Sequence, residues 1–325
     1  MKLESTYTIS VDLGGTKILT ALIDKNMEII ARNKMATDAS KGAGNLVADI
    51  STTVKAVISE TGINESEVKA VCLGVPGTVN PEGIIGNAPN LGISNYNIRE
   101  ELQKYVNIPV FIENDVNLAG LGIKKFEFKD EVNNMLVVFI GTGIGSALIL
   151  NGKMYRGSSF YAGEIGHMLV DVKGFLSGTK TQSTFETTAS RTAIVASITD
   201  EIKKGKKSLL SDTVKQGKKI KSKNLLQAVK KKDKIVLKHL DRAATIIGTV
   251  LGSITTLLNI DTIVLGGGVI EALEKFMMPE IEEAFREAVL KEPGKDVKLV
   301  ATKLGDDAAL YGGIALADEF ITDGK

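Results

Sequence analysis

Residues Val11–Met27 read VDLGGTKILTALIDKNM, and Val138–Met154, 127 positions later, read VFIGTGIGSALILNGKM. Both stretches open on an apolar, β-branched run, break at a glycine turn (Gly14, Gly141), resume as a second apolar run, and close through a polar turn on methionine. Short apolar runs bounded by glycine and Asn/Asp predict strands joined by tight turns. One such hairpin is commonplace. Two of the same length and punctuation predict a duplicated chain: an α/β protein of two similar domains around a cleft, each domain presenting a glycine turn.

The same patterning extends outward from both copies. Tyr7–Val11, Lys17–Asp24 and Met27–Lys34 read as an antiparallel set of strands. Apolar residues at 46, 47, 50, 54, 57 and 58 give Asn45–Glu60 a helical stripe, with Gly62 placed to cap it. Strands are expected at Val68–Gly74 and Val110–Glu113, and helices at Arg99–Tyr105 and Asn117–Lys125. Met135–Ile140, Gly145–Asn151 and Lys153–Arg156 repeat the opening strands. Leu240, Ala243, Ile247, Val250, Leu251, Ile254 and Leu258 mark one long amphipathic helix. A strand at Thr262–Leu265, a helix at Ile281–Leu290, a strand at Val297–Ala301 and a closing helix at Ala308–Phe320 complete the chain.

At 325 residues the chain suits two domains with real cores. Its composition, 43% apolar and 24% charged, is that of a soluble globular protein rather than a disordered one. Charge or glycine interrupts every apolar run before the ~18 residues of a membrane helix, and the opening MKLE lacks the apolar block of a signal peptide. The one cysteine, Cys72, excludes an internal disulfide and any multi-cysteine metal site, which fits a cytoplasmic location. The net charge of +1 is not uniform. Between Asp200 and Leu240 stand fourteen lysines, no arginine and four acids, an excess of ten positive charges, so the rest of the chain carries −9. With no arginine or aromatic residue for base or phosphate readout, this segment reads as a solvated helical insertion; the other reading is a patch for nucleic acid or acidic lipid.

Glycine turns after strands expose backbone N–H groups and exclude side chains, so they can cradle phosphate oxygens. In DLGGTK (12–17), Gly14 and Gly15 make the turn, Thr16 and Lys17 suit phosphate contacts, and Asp12 suits Mg²⁺ held through water. GTGIG (141–145), with Gly141, Thr142 and Gly143, is a second phosphate turn. In GGG (266–268), Gly267 and Gly268 leave room for a flat base between a strand and a helix. None of these matches the GxxxxGK[ST] P-loop or a Rossmann GxGxxG. Asp115, in FIENDVNLAG, follows a strand near the start of a helix, where an acid points into the cleft of an open α/β sheet; the alternative is a helix N-cap. AGEIGH (162–167) sets Glu164 and His167 in a glycine-flanked loop, whereas His239, in the lysine-rich stretch, reads as a surface residue. Asn90, Asn114, Asp115, Glu164, His167 and Glu186 are the donor and acceptor types that a polyhydroxylated ligand needs.

Taken in order, DLGGTK, GVPGTV (74–79), APNLG (88–92), IENDVNLAGLG (112–122), GTGIGSALILNGKMYRG (141–157), AGEIGH and LGGGV (265–269) resemble the ROK family of sugar kinases and sugar-responsive repressors, over residues 7 to about 320. The resemblance implies the actin-like ATPase (ribonuclease H-like) fold, with βββαβα topology duplicated in a smaller domain (1–116 plus 303–325) and a larger one (117–302). It implies ATP and Mg²⁺, a hexose as acceptor at its 6-hydroxyl with glucose foremost, and a homodimer. By the same resemblance Asp115 is the general base. Gly77, Asn90, Asn114, Glu164, His167 and Glu186 hold the sugar. Asp12, Gly14, Gly15, Thr16, Lys17, Gly141, Thr142, Gly143, Gly267 and Gly268 hold nucleotide and metal. Two departures matter. Family repressors carry an N-terminal DNA-binding helix-turn-helix; here the phosphate turn begins at residue 12, so no DNA-binding domain is expected and the kinase branch is favoured. The family's zinc motif, CxCGxxGCxE, aligns with Ser177 to Glu186, where every cysteine is Ser or Thr, so no zinc is expected.

Overall fold

A computed structural model describes residues 6–171 and 182–322. The chain divides into two units: Met1–Glu131 with Met154–Ala162 and Asp306–Lys325, and Val132–Lys153 with Gly163–Gly305.

The first unit opens with β1 (Tyr7–Leu13), β2 (Lys17–Ile23) and β3 (Ile29–Ala36), an antiparallel meander. Helix α1 (Ala43–Thr61) lays its apolar stripe on this sheet and stops at Gly62, whose φ of 70° gives the left-handed cap expected there. The chain re-enters as β4 (Val68–Val75), parallel to β1. A small antiparallel sheet follows, β5 (Thr78–Val79), β6 (Ile84–Ala88) and β7 (Ile93–Asn97). It was not legible in the sequence, because its strands are short and rich in Gly and Asn. Then come α2 (Ile98–Gln103), β8 (Val110–Asn114) and α3 (Asp115–Phe126). The main sheet runs β3-β2-β1-β4-β8.

The second unit repeats the plan. Strands β9 (Met135–Ile140) and β10 (Ile144–Leu150) form the hairpin, with β11 (Lys153–Met154) at the edge where the chain leaves the unit. After β12 (Leu169–Asp171) and β13 (Ser183–Thr184) come helices α4 (Phe185–Ala189), α5 (Arg191–Lys203), α6 (Ser211–Lys215), α7 (Ser222–Lys230) and the long α8 (Lys234–Leu258). Strand β14 (Thr262–Gly266), α9 (Gly268–Ala288), α10 (Lys291–Gly294) and β15 (Lys298–Ala301) close it. The sheet order β11-β10-β9-β14-β15 matches that of the first unit, with two parallel strands added on the β9 side. The predicted duplication is therefore structural. It differs at one point: Leu13 pairs with Ile18 across the first hairpin and Ile140 with Ile144 across the second, so the second turn is one residue tighter. The chain then returns to the first unit as α11 (Asp307–Thr322).

Each unit has its own core. In the first, Ile9, Val11, Leu13, Leu73 and Val75 of the sheet meet Leu46, Ile50 and Val54 of α1. In the second, Val138, Ile140 and Leu265 meet the buried faces of α8 and α9. Each such fully buried aliphatic side chain stabilises its unit by about 1.5–3 kcal/mol.

Several expectations are corrected. The boundary expected at 116/117 falls after Glu131, because α3 packs on α11 so closely that a Cβ at Gly122 or Gly312 would strike the opposing backbone. Met154–Ala162 belongs to the first unit, where Arg156 pairs with Glu113 and Glu319. The last crossing lies at 305/306 rather than 302/303. Helix α9 starts at Gly268, not at 281, and continues through Pro279. His239 is not a surface residue: it lies on the buried face of α8 beside Val236, Leu240 and Ala243. The lysine-rich segment is helical, as expected, across α6, α7 and the start of α8.

Candidate functional site

In the first unit, β1, β4 and β8 run parallel, and their C-terminal ends lie level: Asp12 pairs with Gly74, Gly74 with Glu113, and Val75 with Asn114. Asp12 and the Asn114–Asp115 pair thus share one sheet edge, two strand spacings or about 10 Å apart. Beyond Asp12 the chain turns through Gly14, Gly15 and Thr16. The Gly14 N–H donates to the Lys17 carbonyl (2.8 Å), and the Thr37 hydroxyl donates to the Gly14 carbonyl (2.7 Å). The turn leans on Asn90: a Cβ at Gly15 would lie 3.6 Å from that of Asn90, which is exposed in the single turn Pro89–Leu91. Lys17 pairs with Asp306, just ahead of α11. Asp12 is desolvated by its packing, which pushes its carboxyl up to about 6; Lys17 opposes that rise and Asp306 adds to it.

The end of β8 is built more tightly. The Asn114 side-chain oxygen accepts from the Val116 and Asn117 N–H groups (2.9 and 3.0 Å), so Asn114 is the N-cap of α3. Its amide nitrogen donates to the Gly77 carbonyl (2.9 Å). Asp115 is therefore not the cap that its local sequence allowed. It is the first helical residue, half-buried, with one oxygen accepting from Val116 N–H (2.9 Å). Behind it, Glu113 accepts from the Asn114 N–H (2.9 Å) and from the Asn117 side chain (3.0 Å). Arg156 donates to Glu113 (2.7 Å) and, through two nitrogens, to Glu319 (2.7 and 3.1 Å). Burial works against the charge of Arg156, but Glu319 and Glu113 outweigh it and hold the guanidinium above its ordinary range. Glu113 and Arg156 fall inside quoted motifs, yet their pairing spans 43 residues and nothing local announces it.

In the second unit the GTGIG turn closes with the Gly141 N–H donating to the Gly143 carbonyl (2.9 Å). Its charges come from elsewhere. Glu186, expected at the sugar, accepts from the Ile144 N–H (2.8 Å), and a Cβ at Gly143 would collide with that carboxylate. Arg191, which sequence reading assigned no role, donates to the Thr142 hydroxyl (2.6 Å), and the Thr192 hydroxyl donates to the Thr142 carbonyl (2.6 Å). Another Arg191 nitrogen lies 3.9 Å from where a Gly268 Cβ would stand, so Arg191 spans both glycine turns of this unit. Gly267 has φ 83° and sits against the backbone of Ile140, a place only glycine fits. Glu164 and His167 are exposed, with His167 Nε2 3.8 Å from Glu164. Gly166 of the same turn lies against Ile144 and Glu186, which joins this loop to the second glycine turn.

The ROK family model matches residues 8–319. The chain belongs to the ROK family. It is 28% identical to a glucokinase of Halalkalibacterium halodurans over 94% of this chain and 93% of that one. Among solved structures, it resembles a ROK family glucokinase from Streptomyces griseus in complex with glucose and AMPPNP, with a TM-score of 0.79, 27% identity, and 96% and 99% of the two chains covered. It also resembles a ROK family transcriptional regulator, a homolog of E. coli MLC protein, with a TM-score of 0.84, 25% identity, and 98% and 79% covered. With the family comes the actin-like ATPase fold, which this ROK chain realises in its duplicated sheets. No helix among the described residues is long and apolar enough to cross a membrane.

The two metals considered from the sequence, Mg²⁺ and zinc, meet different donor sets here. Asp12 offers one desolvated carboxylate beside a glycine turn, a donor set that fits Mg²⁺, an ion that keeps most of its waters. Among the described residues no three His, Cys, Asp or Glu side chains converge on a metal position. Residues 177–181 of the stretch aligned with the zinc motif lie outside the described residues; the described remainder, Gln182 to Glu186, holds no thiol and does not fit a zinc site.

Proposed function

We propose that this ROK protein is an ATP- and Mg²⁺-dependent hexose kinase that phosphorylates the 6-hydroxyl, with glucose as first substrate. One observation carries the reading. Asp115 stands at the C-terminal end of β8, on the same sheet edge as Asp12 and its glycine turn, while Asn114 takes over the capping of α3. An acid at the C-terminal ends of parallel strands, half-buried and not serving as the helix cap, suits a general base.

In this reading Asp115 accepts the proton of the sugar 6-hydroxyl. The oxygen forms a bond to the γ-phosphorus as the bond to the β-phosphate oxygen breaks, leaving ADP and the hexose 6-phosphate. Phosphoryl transfer needs positioning and charge stabilisation more than covalent help from the protein. Bound Mg²⁺ would supply charge neutralisation on the phosphates, with Asp12 holding it through water. The two glycine turns would cradle phosphate oxygens, and Gly267 and Gly268 would leave space for the base. Gly77, Asn90, Asn114, Glu164, His167 and Glu186 would hold the sugar hydroxyls. No zinc is involved. Cytoplasmic ATP is the proposed donor, and N-acetylmannosamine, mannose, fructose and allose are the competing acceptors. A sugar sensor that binds without transfer is the second reading, favoured by the likeness to the regulator.

The test is a coupled ADP-release assay over these sugars, with the position of the new phosphate read by ³¹P and ¹³C NMR. The proposal expects release with glucose and label at C6. No release with any hexose supports the sensor instead.

A further inference from the structure

A cavity lined by charged side chains lies away from the glycine turns, in the second unit. Helices α5 and α8 border this open space of about 380 Å³, within the range of small-molecule sites. Its wall is charged apart from Ser197 and the imidazole of His239. Asp200 and Glu201 come from α5, with Lys204 and Lys206 following; Lys238, His239 and Arg242 come from α8. Two cations are already matched, Lys204 by Asp200 (2.6 Å) and Lys238 by Glu201. Lys206 and Arg242 form no ion pair among the described residues, so the wall carries two surplus positive charges.

His239 is the second, independent feature. Its side chain is 8% exposed, and its Nε2 is buried without a hydrogen bond, 3.5 Å from Glu201. Burial pushes the imidazole down, Lys238 and Arg242 push the same way, and Glu201 opposes them. A buried ring nitrogen without a partner is costly, and such groups in a native fold call for an explanation. A dianion in the cavity provides one: it would engage Lys206 and Arg242 and favour the protonated, donating form of His239.

We propose that this cavity, formed by Lys206, Arg242 and His239 between α5 and α8, binds a phosphate dianion, free or carried by a small polyhydroxylated ester. No Phe, Tyr, Trp or aliphatic residue lines the cavity, whereas Lys206, Arg242 and Ser197 offer donors to phosphate and hydroxyl oxygens. The site gives the lysine-rich segment a ligand that is independent of the kinase reading.

The chain has two histidines, so imidazole NMR reports on His239 directly, with the His239→Gln protein assigning the signal. Sulfate, which stays dianionic across the pH range, is titrated first, then inorganic phosphate and a hexose 6-phosphate, against chloride at equal ionic strength. The His239 signal is expected to shift saturably, and its titration midpoint to rise when sulfate is present. Lys206→Ala and Arg242→Ala are each expected to weaken sulfate binding about tenfold, and Lys207→Ala, outside the wall, to leave it unchanged. Tighter binding of the hexose phosphate identifies an ester as occupant; equal binding identifies the bare anion. A shift that chloride reproduces, or one insensitive to both wall variants, overturns the proposal, as does binding of a single-stranded oligonucleotide without binding of phosphate. None of these readouts requires sugar turnover, so the site can fail while the kinase reading stands, and the reverse.

Discussion

The hairpin β1–β2 of the first unit and the hairpin β9–β10 of the second share a topology but draw their charge from different places. In the first, the charges are in the motif: Asp12 precedes the turn, Lys17 ends it, and Asp306 pairs with Lys17. In the second, no charged residue stands from Phe139 to Ile144. Charge reaches the turn from α4 and α5 instead, as Glu186 on the Ile144 N–H and Arg191 on the Thr142 hydroxyl. The strand ends differ in the same way. Asp115 follows β8, whereas Thr302 and Lys303 follow its counterpart β15, with no acid. A duplicated scaffold keeps its backbone turns because the sheet requires them, while its side chains diverge.

The widest gap between the copies is at Asp115, the proposed base. Asp115→Asn is expected to lower turnover by about 10²- to 10⁴-fold while the protein still binds nucleotide and melts normally, as measured by ADP release, calorimetry and thermal denaturation. Full activity in that variant would place the chemistry elsewhere.

Asp12 is the next largest difference. Its folded pKa, about 6, lies above the unfolded 3.8, so the folded state holds this proton more tightly. Relative to a neutral side chain the shift costs nothing below pH 4, where both states hold the proton; the cost grows as pH rises toward 6 and levels off above it at about 2–3 kcal/mol for the ion-free protein. Asp12→Asn should therefore raise stability by about that amount at pH 7.5 in urea unfolding without Mg²⁺. The gain should fade below pH 4, and turnover should drop. An equal effect at both pH values would show that the carboxyl is not desolvated.

Arg191→Ala tests whether charge really arrives from outside the second turn. The KM for ATP should rise about tenfold, with kcat changed less, as a positioning cation is lost. An unchanged KM would reduce Arg191 to a structural tie. Smallest is Gly143→Ala, whose Cβ must displace Glu186 from the Ile144 N–H; a loss of about 1–2 kcal/mol in thermal denaturation is expected. Gly141→Ala, where a Cβ meets nothing within 4 Å, should lose less.

These contrasts also explain what could be read from sequence. The fold was legible because duplication leaves a length, a glycine rhythm and a polar turn that survive divergence. The first glycine turn and its charges were legible because Asp12 and Lys17 are local to it. Arg191 was not, because 49 residues separate it from Thr142. The Glu113–Arg156–Glu319 network was hidden for the same reason: packing, not spacing, brings those charges together. His239 was misread because its lysine neighbours in sequence face solvent, while the helical period turns the imidazole to the core with Val236 and Leu240. Helix α9 runs on from Gly268 through Pro279, packed against α8, so it is longer than the stretch 281–290. The boundary at Glu131 follows from the contact of α3 with α11, nearly two hundred residues later, which local composition does not show.

The central claim is that a sugar 6-hydroxyl, deprotonated by Asp115, attacks ATP. ADP release by the wild-type protein, compared between glucose and 6-deoxyglucose, tests it most directly. The account predicts rapid release with glucose and only background with the deoxy sugar. Equal release with both, or none with either, would contradict it.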